Sequence, residues 1–150
     1  MKEMKIAMTA LVRGGEYLMH LRNGDKSRGA VGLVGFFGGE IEPKDRSELA
    51  AAFRELKEET NIISEELEDL NFEDLGFVDV TSDRDNEPVR ILAHVFELKL
   101  PYDTDVRTRD PRDELVVATN SEIKHDYLGQ GRLSPATEMA FKELIMKGVL

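Results

Sequence analysis

The 150-residue chain contains neither cysteine nor tryptophan. Without thiols it can form no disulfide, no thiolate nucleophile and no cysteine-based zinc site. Positive charge is also scarce: 20 Lys and Arg stand against 30 Asp and Glu, giving a formal charge of −10 and a pI near 4.8. Binding to nucleic acid rests on clustered cations along the phosphate backbone, so no nucleic-acid partner is expected. No apolar run approaches the ~20 residues of a membrane-spanning helix. The Met1–Met8 start carries no signal-type apolar segment, so a cytoplasmic protein with no membrane contact is expected. Gly32, Gly35, Gly38 and Gly39 make neither a G-x-G-x-x-G nor a Walker pattern, and a Rossmann site or P-loop is unsupported. What is present is 41% hydrophobic and 33% charged residues, the profile of one globular domain spanning 1–150.

The most informative stretch is GGEIEPKDRSELAAAFRELKEETNI, residues 38–62. It reads as a glycine-containing loop feeding an acidic helix. Ser47 is placed to cap the helix, Glu48 suits its first turn, and Ala50, Ala51 and Ala52 favour helix strongly. Leu49, Ala52, Phe53 and Leu56 recur at the spacing of a buried stripe. Asn61 can adopt a left-handed C-cap, which puts the helix end near Thr60. On this helix Glu55, Glu58 and Glu59 share one face, with Arg54 one turn before Glu58. Three carboxylates on one face repel each other, and a divalent cation removes that repulsion. Taken alone, the run is also a common kind of solvated helix face.

With its preceding loop, the stretch resembles the Nudix (MutT-like) signature, G-x5-E-x7-R-E-U-x-E-E-x-G-U, where U is bulky and apolar. Gly39 matches the first Gly, Arg54-Glu55-Leu56 match R-E-U, Glu58-Glu59 match E-E, and Ile62 matches the last apolar position. Asp45 stands where the pattern has Glu, one extra residue separates it from Arg54, and Asn61 replaces the final Gly. The extra residue falls before the helix, so the spacing of the helical carboxylates is untouched.

The resemblance implies an α/β/α sandwich with a mixed β-sheet between helices, and hydrolysis of a nucleoside diphosphate linked to another group X. It implies Mg²⁺ or Mn²⁺ as cofactor, a small nucleotide as the bound partner, and often a homodimer. Glu58 and Glu59 are then the principal metal ligands, with the backbone carbonyl of Gly39 adding another. Glu55 is a ligand through water or the general base. Arg54 orients the carboxylates by ion pairing. A late acid before a strand often completes such sites, and Glu114 is the candidate here, ahead of Asp113, Glu87 and Glu97. Arg22 and Arg28, with Lys26 beside it, are candidate phosphate contacts. Phe36 and Phe37 could stack on a base, although core packing suits both better.

The remaining chain reads as strands at Met4–Val12, Glu16–Arg22, Val31–Phe37, Leu75–Val80, Val89–Leu100 and Leu115–Ala118. Arg13-Gly14-Gly15 is a turn, Ser64–Asp74 an acidic connector, Thr81–Pro88 a charged loop, and Pro101–Asp113 a long loop without regular structure. Ser134-Pro135 opens a second helix through Met146. His20 and His94 are read as structural strand residues. Two other classes compete with the hydrolase. One is a catalytically silent nucleotide-binding module of the same family, which usually has lost the carboxylates retained here. The other is a structural protein with a solvated acidic helix, which predicts no effect of divalent cations on melting.

Overall fold

The computed structural model describes residues 1–24, 31–62, 71–84 and 87–150. Its centre is β1 (Lys2–Arg13), buried continuously over Ala7–Leu11, with Met8 and Ala10 on one face and Ala7 and Leu11 on the other. A two-residue turn, Gly14-Gly15, leads into β2 (Glu16–Leu21). Both glycines have positive φ, 58° and 78°, as the tight hairpin turn requires.

The apolar run after residue 31 is not one strand. It divides into β3 (Val34–Gly35), paired with β2, and β4 (Phe37–Glu40), paired with β1. Gly38 and Gly39 are therefore strand residues rather than loop residues. A Cβ at Gly38 would lie 2.6 Å from Met8 Cα, so only glycine lets β4 close onto β1 there.

Helix α1 (Glu48–Glu59) follows, capped by Ser47 Oγ, which accepts from the Ala50 N–H at 3.0 Å. It ends at Thr60, where the helix end was expected, with Thr60 itself in extended backbone. The buried residues are Ala51, Ala52 and Leu56, while Leu49 is exposed. The buried stripe therefore begins at Ala51 and Ala52 rather than at Leu49.

Strands β5 (Phe72–Arg84) and β6 (Glu87–Leu100) form a long antiparallel hairpin. Most of the expected loop at Thr81–Pro88 is therefore strand. Nearby, Arg90 of β6 pairs with Asp79 of the edge strand β5 at 2.6 Å, and both side chains are about half exposed. The acidic connector falls partly outside the described residues, and its end, Phe72–Asp74, opens β5. Strand β6 then runs parallel to β1 from Lys2↔Val89 to Arg13↔Leu100.

Strand β7 (Glu114–Thr119) pairs with β2. A helical turn that the hydrophobic pattern does not announce comes next: α2 (Asn120–Glu122), passing into a π-helical turn at Ile123–Tyr127. Thr119 and Glu122 set it up through a reciprocal capping box. Helix α3 (Pro135–Met146) closes the chain. The mixed sheet lies between α1 on one face and α3 on the other, the α/β/α sandwich expected. Leu11, Leu18, Phe37, Leu56 and Leu98 pack on the α1 side, and Met19, Phe36, Val95 and Phe141 on the α3 side.

Candidate active site

Strand β4 and helix α1 meet with two glycines against two carboxylates. A Cβ at Gly39 would lie 2.6 Å from Glu55 Oε1, so the missing side chain is what lets that carboxylate rest on the backbone. One residue earlier, the Gly38 N–H donates to Glu59 Oε1 at 2.8 Å. Burial raises the pKa of Glu55, aided by the charge of Glu58 and opposed by Arg54. Burial also pushes Glu59 up to about 8, with the Glu55 charge adding to it. Glu58 is more exposed and faces Arg54.

Arg54 ties this corner together. Its Nε and Nη2 grip Asp45 at 2.9 Å each, holding the Asp45 carboxyl down at about 2. Its Nη1 reaches Glu55 at 3.0 Å and Glu58 at 3.3 Å, and its Nη2 donates to the Glu40 carbonyl at 3.2 Å. Asp45, despite being the shorter acid, thus fills the pattern's Glu position as an arginine partner. The spacing of Arg54, Glu55, Glu58 and Glu59 on the helix is intact.

Behind Glu59 sits His20, only 7% exposed and stacked on Phe37 at 4.7 Å. Its Nε2 lies 3.2 Å from the Phe36 carbonyl, within hydrogen-bond distance. Burial, with the nearby Arg22 charge, lowers its pKa. His20 Nε2 is 3.9 Å from Glu59 Oε2, and Nδ1 is 3.8 Å from Asp113 Oδ2.

Alongside lies a cavity of about 480 Å³. Met4, Ile6, Met8, Phe36 and Ile91 supply apolar walls, and His20, Arg22, Gly38 and Gly39 form the end nearest the carboxylates. Its size suits a nucleoside-sized ligand.

The donor set fits a hard divalent cation. Glu55, Glu58 and Glu59 offer oxygen, two of them are destabilised as anions by burial, and Gly39 allows backbone approach. Among the described residues no three acidic or imidazole side chains form a finished cage. Mg²⁺ does not need one, because water and substrate phosphate complete its octahedron.

A NUDIX domain model matches residues 4–132. The chain belongs to the NUDIX domain family. Solved structures agree in fold. A MutT protein from Methanosarcina mazei Go1 superposes with a TM-score of 0.73 at 22% identity, covering 98% of this chain and 96% of that one. A MutT NUDIX hydrolase from Burkholderia pseudomallei gives 0.70 at 22%, covering 96% and 99%. The E. coli dihydroneopterin triphosphate pyrophosphohydrolase gives 0.69 at 16%, covering 95% of each. No curated protein matches the chain in sequence. No helix among the described residues is long and apolar enough to cross a membrane.

The structure brings together Gly39, Arg54, Glu55, Glu58 and Glu59 of this Nudix domain, with Arg22 on the cavity wall. It separates others. Phe37 is fully buried under His20 in the α1-side core and cannot stack on a base; Phe36 lines the cavity instead. The two rings lie on opposite faces of the sheet. Glu114 is exposed, whereas the Asp113 side chain turns inward with 7% exposure. Arg28 and Lys26 lie outside the described residues. His20, read from the sequence as a structural strand residue, lies beside Glu59 and Asp113; its place two residues before Arg22 was the one local signal of the site.

Proposed function

We propose that this Nudix domain hydrolyses a phosphoanhydride bond in a nucleoside diphosphate derivative, using Mg²⁺ or Mn²⁺ held on Glu55, Glu58 and Glu59. The observation that carries the reading is the pairing of two buried, charge-strained carboxylates with the glycine backbone of β4, at the mouth of a nucleoside-sized cavity. A bound divalent cation supplies positive charge against the phosphoryl and leaving oxygens as negative charge builds there. The chain's own residues orient the reactants. Gly38 holds Glu59 through its N–H, and Arg54 fixes Glu55 and Glu58 from the opposite side. Arg22, on the cavity wall, is placed to meet substrate phosphate. Glu55, seated against the Gly39 backbone, would be a ligand through metal-bound water or the base that accepts a proton from attacking water. The apolar walls exclude water around the base and sugar.

The test measures phosphate and pyrophosphate release from nucleoside triphosphates, ADP-ribose, dinucleoside polyphosphates and NADH, with Mg²⁺ or Mn²⁺, for wild type and Glu58→Gln. Turnover of one substrate class that collapses in the variant supports the reading and identifies the class. Absence of turnover, with melting unchanged by Mg²⁺, overturns it in favour of a silent binding module.

A further inference from the structure

The segment 101–113 has almost no regular structure, yet it is fastened at many points. Val106 is 3% exposed and packs in the α1-side core with Leu56, Ile62 and Leu100. Arg13 Nη1 donates to the Thr104 carbonyl at 2.7 Å. The densest attachment is to the end of α1. The Asn61 side chain donates to the Asp105 carbonyl at 3.0 Å and accepts from the Arg107 N–H at 2.6 Å. The Asn61 N–H donates in turn to the Arg107 carbonyl at 3.1 Å. Thr60 forms a bridge with Thr108, and Arg109 donates from its backbone to the Glu59 carbonyl at 2.9 Å and from Nε to the Thr60 carbonyl at 2.5 Å.

These bonds satisfy carbonyls that the last turn of α1 would otherwise leave to water. They also fix where the segment ends. It delivers Asp113, whose Oδ1 accepts from the Asn23 N–H at 3.3 Å and whose Oδ2 faces His20 Nδ1 at 3.8 Å. His20 Nε2 lies on the other side, 3.9 Å from Glu59.

We propose that residues 101–113 are a positioning strap, buckled to the end of α1 by Asn61, that sets Asp113 against His20 and thereby fixes Glu59. The inference deepens the proposed function by assigning roles to Asn61, Asp113 and His20. It also gives a reason for Asn61 where the family pattern has glycine: a glycine can end the helix but has no side-chain amide with which to hold the Asp105 carbonyl and the Arg107 N–H. Asn61 and His20 are positioning residues, since they act through Asp113 and Glu59.

The test compares wild type with Asn61→Gly, Asp113→Asn, the double variant, and Asp103→Asn as a charge-matched control on the same segment. Mn²⁺ affinity is read by calorimetry, and amide exchange is read at Arg107 and Arg109. The expected result is a roughly tenfold or greater loss of Mn²⁺ affinity in Asn61→Gly and in Asp113→Asn. The double variant should be no weaker than Asp113→Asn alone, because both changes act through one group. Asp103→Asn should match wild type within about twofold, the size of a generic surface-charge effect. Exchange at Arg107 and Arg109 should be slow in wild type and fast in Asn61→Gly. Unchanged Mn²⁺ affinity in Asp113→Asn, or additive losses in the double variant, would overturn the role assigned to the strap. If wild type binds no Mn²⁺, the metal-hydrolase reading fails and exchange alone decides: fast exchange of both amides in wild type overturns the strap, and slow exchange abolished by Asn61→Gly upholds its buckle.

Discussion

Gly39 and Glu55 touch backbone to carboxylate, with no room between them for a methyl group. Gly39→Ala is therefore expected to push Glu55 off its position. Displacements of about 1 Å at a catalytic group cost on the order of 100-fold in rate. The expected signature is a fall in kcat of that order with a smaller change in KM, since Gly39 borders the cavity only at the end nearest the carboxylates and the apolar walls are untouched. Steady-state kinetics on whichever substrate turns over would check it; a variant affected only in KM would contradict the assignment.

The second prediction concerns pH in the absence of metal. The folded pKa of Glu59 lies near 8, above its ordinary 4.5, so the folded chain holds this proton more tightly than the unfolded chain. The resulting stabilisation is complete below 4.5 and is lost as pH rises from 4.5 to about 8. Metal-free protein should thus melt progressively lower across that window. Glu59→Gln should flatten the decline and melt higher than wild type at pH 8. Thermal melts in chelator decide this, and parallel pH profiles for the two proteins would count against it.

Arg54 makes a third case. Lysine keeps the charge but cannot reproduce the planar grip on Asp45 while also reaching Glu55, Glu58 and the Glu40 carbonyl. Arg54→Lys should lose about 10- to 100-fold in Mn²⁺ affinity, as expected when a group orienting metal ligands is removed. Its melting temperature should barely move, because much of the network is open to solvent. A large drop in melting with normal metal affinity would recast Arg54 as a structural residue.

Much of the site could be read from the chain because its information is local. Ser47 caps α1, and the spacing of Arg54, Glu55, Glu58 and Glu59 puts them on adjoining faces of one helix whatever surrounds it. The Gly14-Gly15 hairpin is likewise set by two residues that tolerate positive φ. The extent of β5 and β6 was harder to read, because a solvated edge strand and a charged loop have similar composition. The twelve-residue parallel pairing of β1 with β6 likewise joins segments far apart in sequence.

The sequence by itself determined the chemistry on offer: an acidic helix, glycines ahead of it, an arginine among the carboxylates, and no thiol. Tertiary structure alone decided which groups meet that chemistry. Asp113 rather than Glu114 faces inward because the strap ends one residue before β7 begins its alternation. Phe36 rather than Phe37 borders the cavity because the chain crosses from one strand pairing to another between Val34 and Phe37. His20, plain in sequence, gains its place from Phe37 beneath it and from two carboxylates that lie 39 and 93 positions further along the chain. Contacts at such separations are fixed by sheet pairing and loop closure, which no local pattern encodes.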